Sequence, residues 1–492
     1  MPSEENIKLI FGLKLKQLRT KRKMSPQELA EKSGISNSYL NEIEKGKKYP
    51  KTDKIDALAN ALQVKYDELV SLKLPKDYAA IELLLKSNIL SNLPLDMLGF
   101  DLNSLVDLLA NSPMKINAFL NTIIEISRNH DLQTEYFYFS VLRSYQELKE
   151  NFFEDTEQAA LDFTQLHSLN TQTNLSTRDL RDLLTTLYAY KFEDLDERFN
   201  QMRSIYKPEV NTLYLNPNLN EHQLLFVLGR ELAFNYLELK PRPLVTTYFN
   251  NAGFQEIFNN FLASYFATAL LLPQRKIVSD LQAFFANEKW NGDEFKALTA
   301  ASGVSAEMYM HRLTNILPRF FKLNAMFFLR LSKPQNEEQI NITKELHIGR
   351  LHNPHASSKN LHYCRRWVSI EILQDLEAMA HAHKPGDLSL VKAQISNYKE
   401  SRDSYFIISV ARSMYPISGY NTSVSIGILI NENFKKAVNF STDEDVIRKE
   451  VSEACELCSI QDCKERAAAP DILTQREKLK KINQSIEDFL AN

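Results

Sequence analysis

Cysteine and glycine are both scarce in this chain of 492 residues, which has four of the first and twelve of the second. Four cysteines in so long a chain exclude a disulfide scaffold of the kind that stabilises small secreted domains. The glycines nowhere form G-x-G-x-x-G, so a dinucleotide-binding loop of that type is also excluded. With 44% hydrophobic residues, the composition is that of a globular protein with several domains.

Long apolar runs are missing as well. The run Leu270 to Leu272 is followed by Pro273 and is far shorter than the roughly 20 residues that span a bilayer. The segment Met1 to Asn6 is polar and lacks the apolar core of a signal peptide. These features predict a cytoplasmic protein with no membrane partner.

Charge is distributed unevenly along the chain. The formal net charge is -3, yet residues 8–54 hold thirteen Lys and Arg against five Asp and Glu. The head of the chain is therefore strongly basic, and the remainder is acidic. A basic head on an acidic body indicates a nucleic-acid-binding module.

The hydrophobic periodicity predicts a mainly α-helical, multi-domain protein. The periodicity and the basic charge of the head together divide the chain into five regions: a five-helix DNA-binding domain (8–73), a helical linker or dimerisation region (77–150), a middle domain (151–335), a C-terminal cysteine-containing α+β domain (340–475) and a charged C-terminal helix (476–492). Phe137, Val141 and Leu148 lie at helical spacing and predict a long helix that continues through Phe163.

Helix-capping signals mark the N-terminal helices. The run Ser25–Glu28 predicts a capping box with proline in the first turn. Gly34 suits the C-terminal cap of the same helix, and Ser36 and Thr52 are the expected N-caps of the third and fourth helices. The short turn between the second and third helices would hold the third across the second, which is the arrangement of a helix-turn-helix.

The segment from Leu29 to Gly46, followed by Pro50, resembles the XRE/lambda-repressor-like helix-turn-helix family. The resemblance covers about 65 residues and implies a fold whose third helix enters the major groove. It departs from the family at Pro26, where a glutamine is common, although Gln27 is adjacent. The alternative is a five-helix protein-interaction module, against which the positive charge counts.

Residues 36–42 are expected to enter the major groove of the DNA. The predicted base-reading side chains are Asn37, Ser38 and Asn41, with Glu42 accepting from a cytosine amino group. The predicted phosphate-binding side chains flank this helix, and they are Arg19, Lys47, Lys48 and Lys51. Gln27 and Ser36 complete the predicted DNA-binding set.

The middle domain carries a second resemblance. The segments Phe226–Phe234 and Phe266–Pro273 look like the ImmA/IrrE-type metallopeptidase family, which has an H-E-x-x-H helix and a later helix that ends in an apolar run and proline. Arg230 and Phe234 stand at the two histidine positions, and only Glu231 is retained. Neither a guanidinium nor a phenyl ring binds zinc, so we expect no zinc and no proteolysis at this site.

The expected fold of this region is therefore a degenerate zincin-like α+β domain, whose scaffold would leave a concave pocket for a small molecule. The positions around Asn260, where a later acidic ligand would fall, hold no carboxylate. Arg230 is the predicted ligand-binding residue, because a guanidinium suits a phosphate or carboxylate. An ion pair with an acidic neighbour is the alternative role for Arg230.

Three of the four cysteines form the pattern C-x2-C-x4-C at Cys455, Cys458 and Cys463. The first pair can bind one ion because the short loop turns both sulfurs to the same side. Cys364 is available as a fourth ligand, and His362 is a substitute for it. Thiolates select zinc or an iron–sulfur cluster, and the spacing does not decide between them. Three reduced thiols without metal are the alternative.

The same region carries a third resemblance. Cys364-x2-Trp367, together with the cysteine run and the later Arg466 and Pro470, resembles the C-terminal domain of the short-chain fatty acyl transcriptional regulators. Those proteins join an XRE helix-turn-helix, an ImmA/IrrE-like middle and this cysteine-bearing end, in the order found here. The resemblance implies an effector of the acyl-CoA type and control of short-chain acyl metabolism.

These features together predict a sequence-specific transcriptional regulator that binds double-stranded operator DNA as a homodimer and responds to a small metabolite. Two heads are expected because one five-helix head reads only a few base pairs. The region 77–150 is the expected dimer element. The alternatives are a divergent metallopeptidase targeted by its helix-turn-helix, and a DNA-binding platform for a protein partner such as a toxin.

Overall fold

The computed structural model describes residues 4–73, 134–169, 174–245, 253–335, 337–349, 361–382, 388–413 and 420–491. Within these ranges the protein is mainly helical, as the periodicity predicts. The chain forms two compact units, one with the N-terminal domain and one with most residues after 145. No helix in the ranges given is long and apolar enough to cross a bilayer. Most of the expected dimer element, 77–150, lies outside the described residues.

The N-terminal domain contains, within residues 4–73, the five expected helices: α1 (Glu4–Lys21), α2 (Pro26–Ser33), α3 (Asn37–Glu44), α4 (Thr52–Leu62) and α5 (Tyr66–Val70). The capping box at Ser25 and Glu28 is confirmed, and so is the left-handed conformation of Gly34 at the end of α2. The prediction of Thr52 as a cap is wrong by one residue. Thr52 begins α4, and Lys51 occupies the N-cap position without a side-chain cap bond.

Close contacts fix α1 against α3 and α5. A Cβ atom added to Gly12 would lie only 2.4 Å from the carbonyl oxygen of Ile43, so α1 can approach α3 this closely only with glycine at position 12. The buried ammonium of Lys14 donates to the carbonyl oxygen of Glu68 at 3.0 Å and also to that of Ser71. These contacts hold α3 in place within the domain.

In the described residues after 73, the helices are α6 (Thr134–Leu148), α7 (Glu154–Leu166), α8 (Thr177–Tyr188), α9 (Glu221–Tyr236), α10 (Phe254–Leu271), α11 (Gln274–Phe285), α12 (Gly292–Ala301), α13 (Ala306–Phe321), α14 (Val368–Ala382), α15 (Glu432–Ala437) and α16 (Asp471–Ala491). The predicted long helix through Phe163 is wrong, because the chain turns between α6 and α7. Asn151 has a positive φ there, and its amide donates to the Thr314 hydroxyl at 2.8 Å. The amide of Asn315 donates in turn to the Asn151 carbonyl oxygen.

Strands in the described residues form two sheets. The smaller has the order β1-β3-β2 and contains β1 (Lys191–Asp194), β2 (Ser204–Lys207) and β3 (Thr212–Leu215). The larger has the order β5-β4-β8-β7-β6-β9 and contains β4 (Met326–Pro334), β5 (Asn341–Ile348), β6 (Ser389–Tyr398), β7 (Ser404–Arg412), β8 (Tyr420–Leu429) and β9 (Arg448–Val451). Alternating apolar residues predict strands at 212–216, 345–351, 389–398, 404–411 and 423–430. Strands β3, β6, β7 and β8 lie there, whereas β5 begins four residues earlier than predicted.

The larger sheet begins earlier in the chain than the expected domain boundary at 340. Strand β4 lies between β5 and β8, and it pairs antiparallel with both. Helix α14 packs on this sheet, where the buried side chains of Trp367, Ile370 and Leu373 meet Leu331 and Ile407 in one apolar cluster. Residues 326–334, which the sequence places in the middle domain, therefore belong to the C-terminal sheet.

Candidate nucleic-acid interface

Helix α3 has one buried face and one exposed face. Leu40 and Ile43 are fully buried in the core of the domain. Asn37, Ser38 and Asn41 are exposed, and because residues three and four apart share a helix face, they lie together. The predicted base-reading side chains thus form one polar surface at the start of α3.

Ser36 and Gln27 lie at the N-termini of the two helices of the motif. The Ser36 hydroxyl accepts from the backbone N–H of Tyr39 at 3.2 Å, which caps α3 and leaves the hydroxyl hydrogen able to donate. Gln27 is exposed, and its amide donates to Glu31 at 3.3 Å. Helix N-termini favour anions, so both residues are placed where a DNA phosphate would be stabilised.

The lysines after α3 are exposed, as a phosphate-binding role requires. Lys47, Lys48 and Lys51 all lie on the surface of the domain. The ammonium of Lys48 lies 2.9 Å from a carboxylate oxygen of Glu42 and 5.8 Å from the centre of the Tyr39 ring. The hydrogen bond to Glu42 raises the pKa of Lys48. Glu42 therefore balances part of the Lys48 charge within the domain. The Glu42 carboxylate, which was expected to accept from cytosine, is in turn partly neutralised by Lys48.

Arg19 does not have the geometry of a phosphate-binding residue. Its Nε and Nη2 donate to the two carboxylate oxygens of Glu44 at 2.6 and 2.9 Å, and its Nη1 donates to the Met24 carbonyl oxygen at 2.9 Å. Both side chains are largely buried, and the bond to Glu44 raises the pKa of Arg19. The phosphate contact expected of Arg19 is replaced by an ion pair that joins the end of α1 to the end of α3.

We expect Lys47→Gln to lower the slope of log affinity for DNA against log salt by roughly 1, because one phosphate contact is lost. A smaller change is expected for Lys48→Gln, since Glu42 already balances part of that charge. The control is Lys65→Gln, an exposed lysine that precedes α5. The slope is measured by fluorescence anisotropy over a salt series. An unchanged slope for Lys47→Gln would show that Lys47 does not bind a DNA phosphate.

Comparison with known proteins agrees with this geometry. Residues 15–69 match the sequence profile of the family described as Helix-turn-helix. Over 66 residues the chain is 35% identical to control protein C.BamHI of Bacillus amyloliquefaciens, a stretch that covers 13% of this chain and 82% of that protein. The chain belongs to the helix-turn-helix family of DNA-binding transcriptional regulators.

A second relative is similar along nearly the whole length of this helix-turn-helix protein. The HTH-type transcriptional regulator RamB of Mycobacterium tuberculosis is 20% identical over 489 residues, which are 94% of each chain. A solved structure described as a Mycobacterium tuberculosis transcriptional regulator is 19% identical, with a TM-score of 0.47, and covers 67% of this chain and 93% of that chain.

Two residues that position the recognition helix of this regulator were not predicted from the sequence. Glu44 ends α3 and binds Arg19, and Gly12 permits the close approach of α1. A signal for Gly12 was present, because a glycine within a helix lowers its stability and usually has a packing reason. No comparable signal marks Glu44, since its partner lies 25 residues away.

The second unit brings together the positions that resemble a metallopeptidase site. Arg230 on α9 is buried, and its guanidinium donates to the Asn260 side-chain oxygen on α10. The centre of the Phe234 ring lies 5.5 Å from the guanidinium carbon. Helices α9 and α10 are close here, since a Cβ atom added to Gly229 would lie 3.1 Å from that of Ala267. A cation, a ring and an amide thus meet in one place.

Glu231 lies next to this group and is also buried. One of its carboxylate oxygens accepts from the Tyr190 hydroxyl at 3.0 Å, and the same phenol oxygen accepts from the Asn235 amide at 2.9 Å. A phenol hydroxyl therefore contacts the glutamate that is retained from the H-E-x-x-H pattern. This contact joins α9 to the chain just before β1.

A cleft opens beside the end of α10. Leucine and isoleucine side chains form much of its lining, among them Leu169, Leu272 and Ile277. Lys276 and Asn174 contribute polar groups, and the Lys276 ammonium lies 3.4 Å from the Asn174 side-chain oxygen. The cleft is narrow, with a free volume of about 30 Å³, and its lining places aliphatic side chains beside one ammonium and the carboxylate of Asp280.

The cysteines lie beside the larger sheet, with Cys364, Cys455 and Cys458 buried. The sulfurs of Cys455 and Cys458 accept backbone N–H bonds at 3.3 and 3.4 Å, from Ala467 and Ile460. Burial raises the pKa of Cys364 to about 11, and repulsion from Cys458 and Cys455 adds to the shift. These three thiols are thus close enough to influence one another.

Cys463 and His362 have other partners. The Cys463 thiol lies 3.7 Å from a Glu465 oxygen, and His362 Nδ1 lies 2.7 Å from a Glu456 oxygen. In the part of the chain that the structure describes, no three His, Cys, Asp or Glu side chains converge to hold a metal ion.

Proposed function

We propose that this regulator recognises a specific operator through α3, and that a small acyl metabolite bound by the second unit changes its affinity for DNA. The observation that carries the proposal is the exposed polar face of Asn37, Ser38 and Asn41, with Lys47 and Lys51 next to it in the chain. Amides and hydroxyls bind base edges, and lysines neutralise phosphates. Together they support sequence-specific binding over general attraction to DNA.

A regulatory role for the second unit, without catalysis, is supported by the groups that meet around α9. Arg230, Phe234 and Asn260 offer a guanidinium, a ring and an amide, and none of these is a usual zinc ligand. The relatives named above are described as a transcriptional regulator and a control protein. We therefore propose a degenerate zincin-like scaffold that has no peptidase activity.

The cleft at the end of α10 is the proposed effector site. Its aliphatic lining matches the chemistry of a short acyl chain, and the ammonium of Lys276 matches that of a phosphate or carboxylate of the same ligand. The cleft would have to widen on binding, because its free volume is about 30 Å³. Arg230 is buried and already donates to Asn260, so the cleft is the better candidate for the anionic group. An acyl thioester such as a short-chain acyl-CoA has both parts.

The test begins with selection of an operator from random duplexes, using the full chain. Short-chain acyl-CoAs are then titrated against the protein–operator complex, with free CoA as the control for the acyl group. We expect operator affinity to change by about 5- to 150-fold, and Lys276→Ala to weaken this response without altering DNA binding in the absence of effector. If no acyl-CoA binds, or if binding leaves operator affinity unchanged, the effector proposal is wrong and a platform for a protein partner becomes the better account.

A metal or iron–sulfur cluster at the cysteines is a separate proposal. The sulfurs of Cys455 and Cys458 both accept backbone N–H bonds, and metals bind cysteine in its thiolate form. Cys364 is the proposed third ligand, and the thiols would have to move closer to share one ion. Metal analysis of anaerobically purified protein tests this: about one site per chain is expected, with loss in Cys458→Ser, whereas a metal-free wild type contradicts it.

A further inference from the structure

Helix α16 presents a stripe of apolar side chains to solvent. Leu479, Ile482, Ile486, Phe489 and Leu490 are 60, 54, 50, 80 and 77% exposed. Scattered exposed leucines are normal on protein surfaces, but a contiguous apolar stripe marks an interaction surface. These five side chains would be shielded from water only if a partner covered them.

The spacing along the stripe identifies the kind of partner. Leu479, Ile482, Ile486 and Phe489 follow one another at intervals of three, four and three residues. This is the a/d pattern of a heptad repeat, which packs against another helix by inserting side chains between those of its partner. An α-helix with a matching stripe is the surface that fits.

The charges on α16 indicate how the partner helix runs. The first half of the helix carries four basic residues, Arg476, Lys478, Lys480 and Lys481, against two acids, Asp471 and Glu477, whereas the second half carries Glu487 and Asp488 and no basic residue. A second copy of α16 in the antiparallel direction would place the basic half of each helix beside the acidic half of the other. A parallel copy would bring like charges together.

We propose that α16 is a dimer element, and that it pairs with the α16 of a second copy of this chain as an antiparallel helix pair. In the register that fits both patterns, Leu479 lies opposite Phe489 of the second copy, and Ile482 lies opposite Ile486. Lys481 and Glu487 then lie at the same level along the pair, on the outer c and b positions of the heptads, so their attraction acts over a longer range than a contact ion pair and is strongest at low salt. A dimer is already expected from the proposed operator binding, and the pairing of α16 places its interface outside the region 77–150.

The oligomeric state of the full chain, measured without DNA by sedimentation, tests the inference. Wild type is expected to be a dimer, and Ile482→Asp with Ile486→Asp is expected to raise the dimer dissociation constant by at least about tenfold. The matched control is Gln484→Ala, on the opposite face of α16. Both variants should remain folded, with the far-UV circular dichroism of wild type, because the replaced side chains are exposed in the single chain.

Charge reversal tests the antiparallel direction. Glu487→Lys with Asp488→Lys should weaken the dimer several-fold at low salt, and the further changes Lys480→Glu and Lys481→Glu should restore it. A wild-type monomer, or a dimer that survives the aspartates, overturns the inference. Failure of the restoring changes overturns the antiparallel register. None of these variants changes α3, and the readout contains no DNA. A failure of the dimer proposal can therefore be distinguished from a failure of the proposed DNA recognition.

Discussion

Replacing Glu44 with Gln is expected to destabilise the DNA-binding domain by about 3 kcal/mol. The Glu44 carboxylate accepts two N–H bonds from Arg19, and both side chains are largely withdrawn from water. Glutamine keeps the shape but leaves the guanidinium without a balancing charge. Because this pair joins the end of α1 to the end of α3, the loss of stability should be largest in α3, the helix that is proposed to read DNA.

Hydrogen exchange of α1 and α3 in the full chain measures this loss locally. The matched control is Glu42→Gln, which removes the same charge from α3 but breaks only the exposed pair with Lys48. Exposed pairs contribute about 0–1 kcal/mol, so the control should exchange nearly as slowly as wild type. Equal effects of the two substitutions would show that the Arg19–Glu44 pair does not hold α3 in place.

A second large effect is expected in the other unit, where Glu157→Gln should cost about 3–5 kcal/mol of stability. The Glu157 carboxylate binds the guanidinium of Arg312, which is fully buried, and also accepts from the Tyr265 hydroxyl at 2.8 Å. Burial raises the pKa of Tyr265 far above its usual range, so this phenol stays protonated and donates. Arg312 also donates to the Leu272 carbonyl oxygen, at the proposed effector cleft.

Thermal unfolding of the full chain, followed by the fluorescence of Trp290 and Trp367, measures this effect. The matched control is Glu154→Gln on the same helix α7, whose partner Arg319 is exposed. A drop of the transition temperature in Glu157→Gln with little change in Glu154→Gln is the expected result. If both variants unfold like wild type, the buried pair is not a source of stability in this unit.

The N-terminal domain was the most predictable part of the fold, because its signals are local. A capping serine, a proline in the first turn and a left-handed glycine each act within four residues, and all occur where the sequence places them. The base-reading face also follows from helical spacing alone. Arg19 was misassigned because a basic residue at a helix end looks the same whether it meets a phosphate or a carboxylate 25 residues away.

Long-range contacts explain the other differences. The break between α6 and α7 depends on bonds from Asn151 to Thr314, 163 residues away. Strand β4 was not predicted, and its neighbour β8 follows it by about ninety residues. The convergence of Arg230 with Asn260 was anticipated only as a resemblance, because two helices 30 residues apart need not pack side by side. Spacing within one element cannot reveal such contacts.

The specificity ratio of Asn37→Ala shows whether α3 reads the operator. The ratio is the affinity for the selected operator divided by that for a scrambled duplex of equal length, at one salt concentration, for wild type and variant. Asn37 is exposed at the start of α3, so its loss should cost about 1–3 kcal/mol on the operator and little on scrambled DNA. We expect a ratio about 5- to 150-fold lower in the variant. Equal losses on both duplexes, or an unchanged ratio, would contradict it.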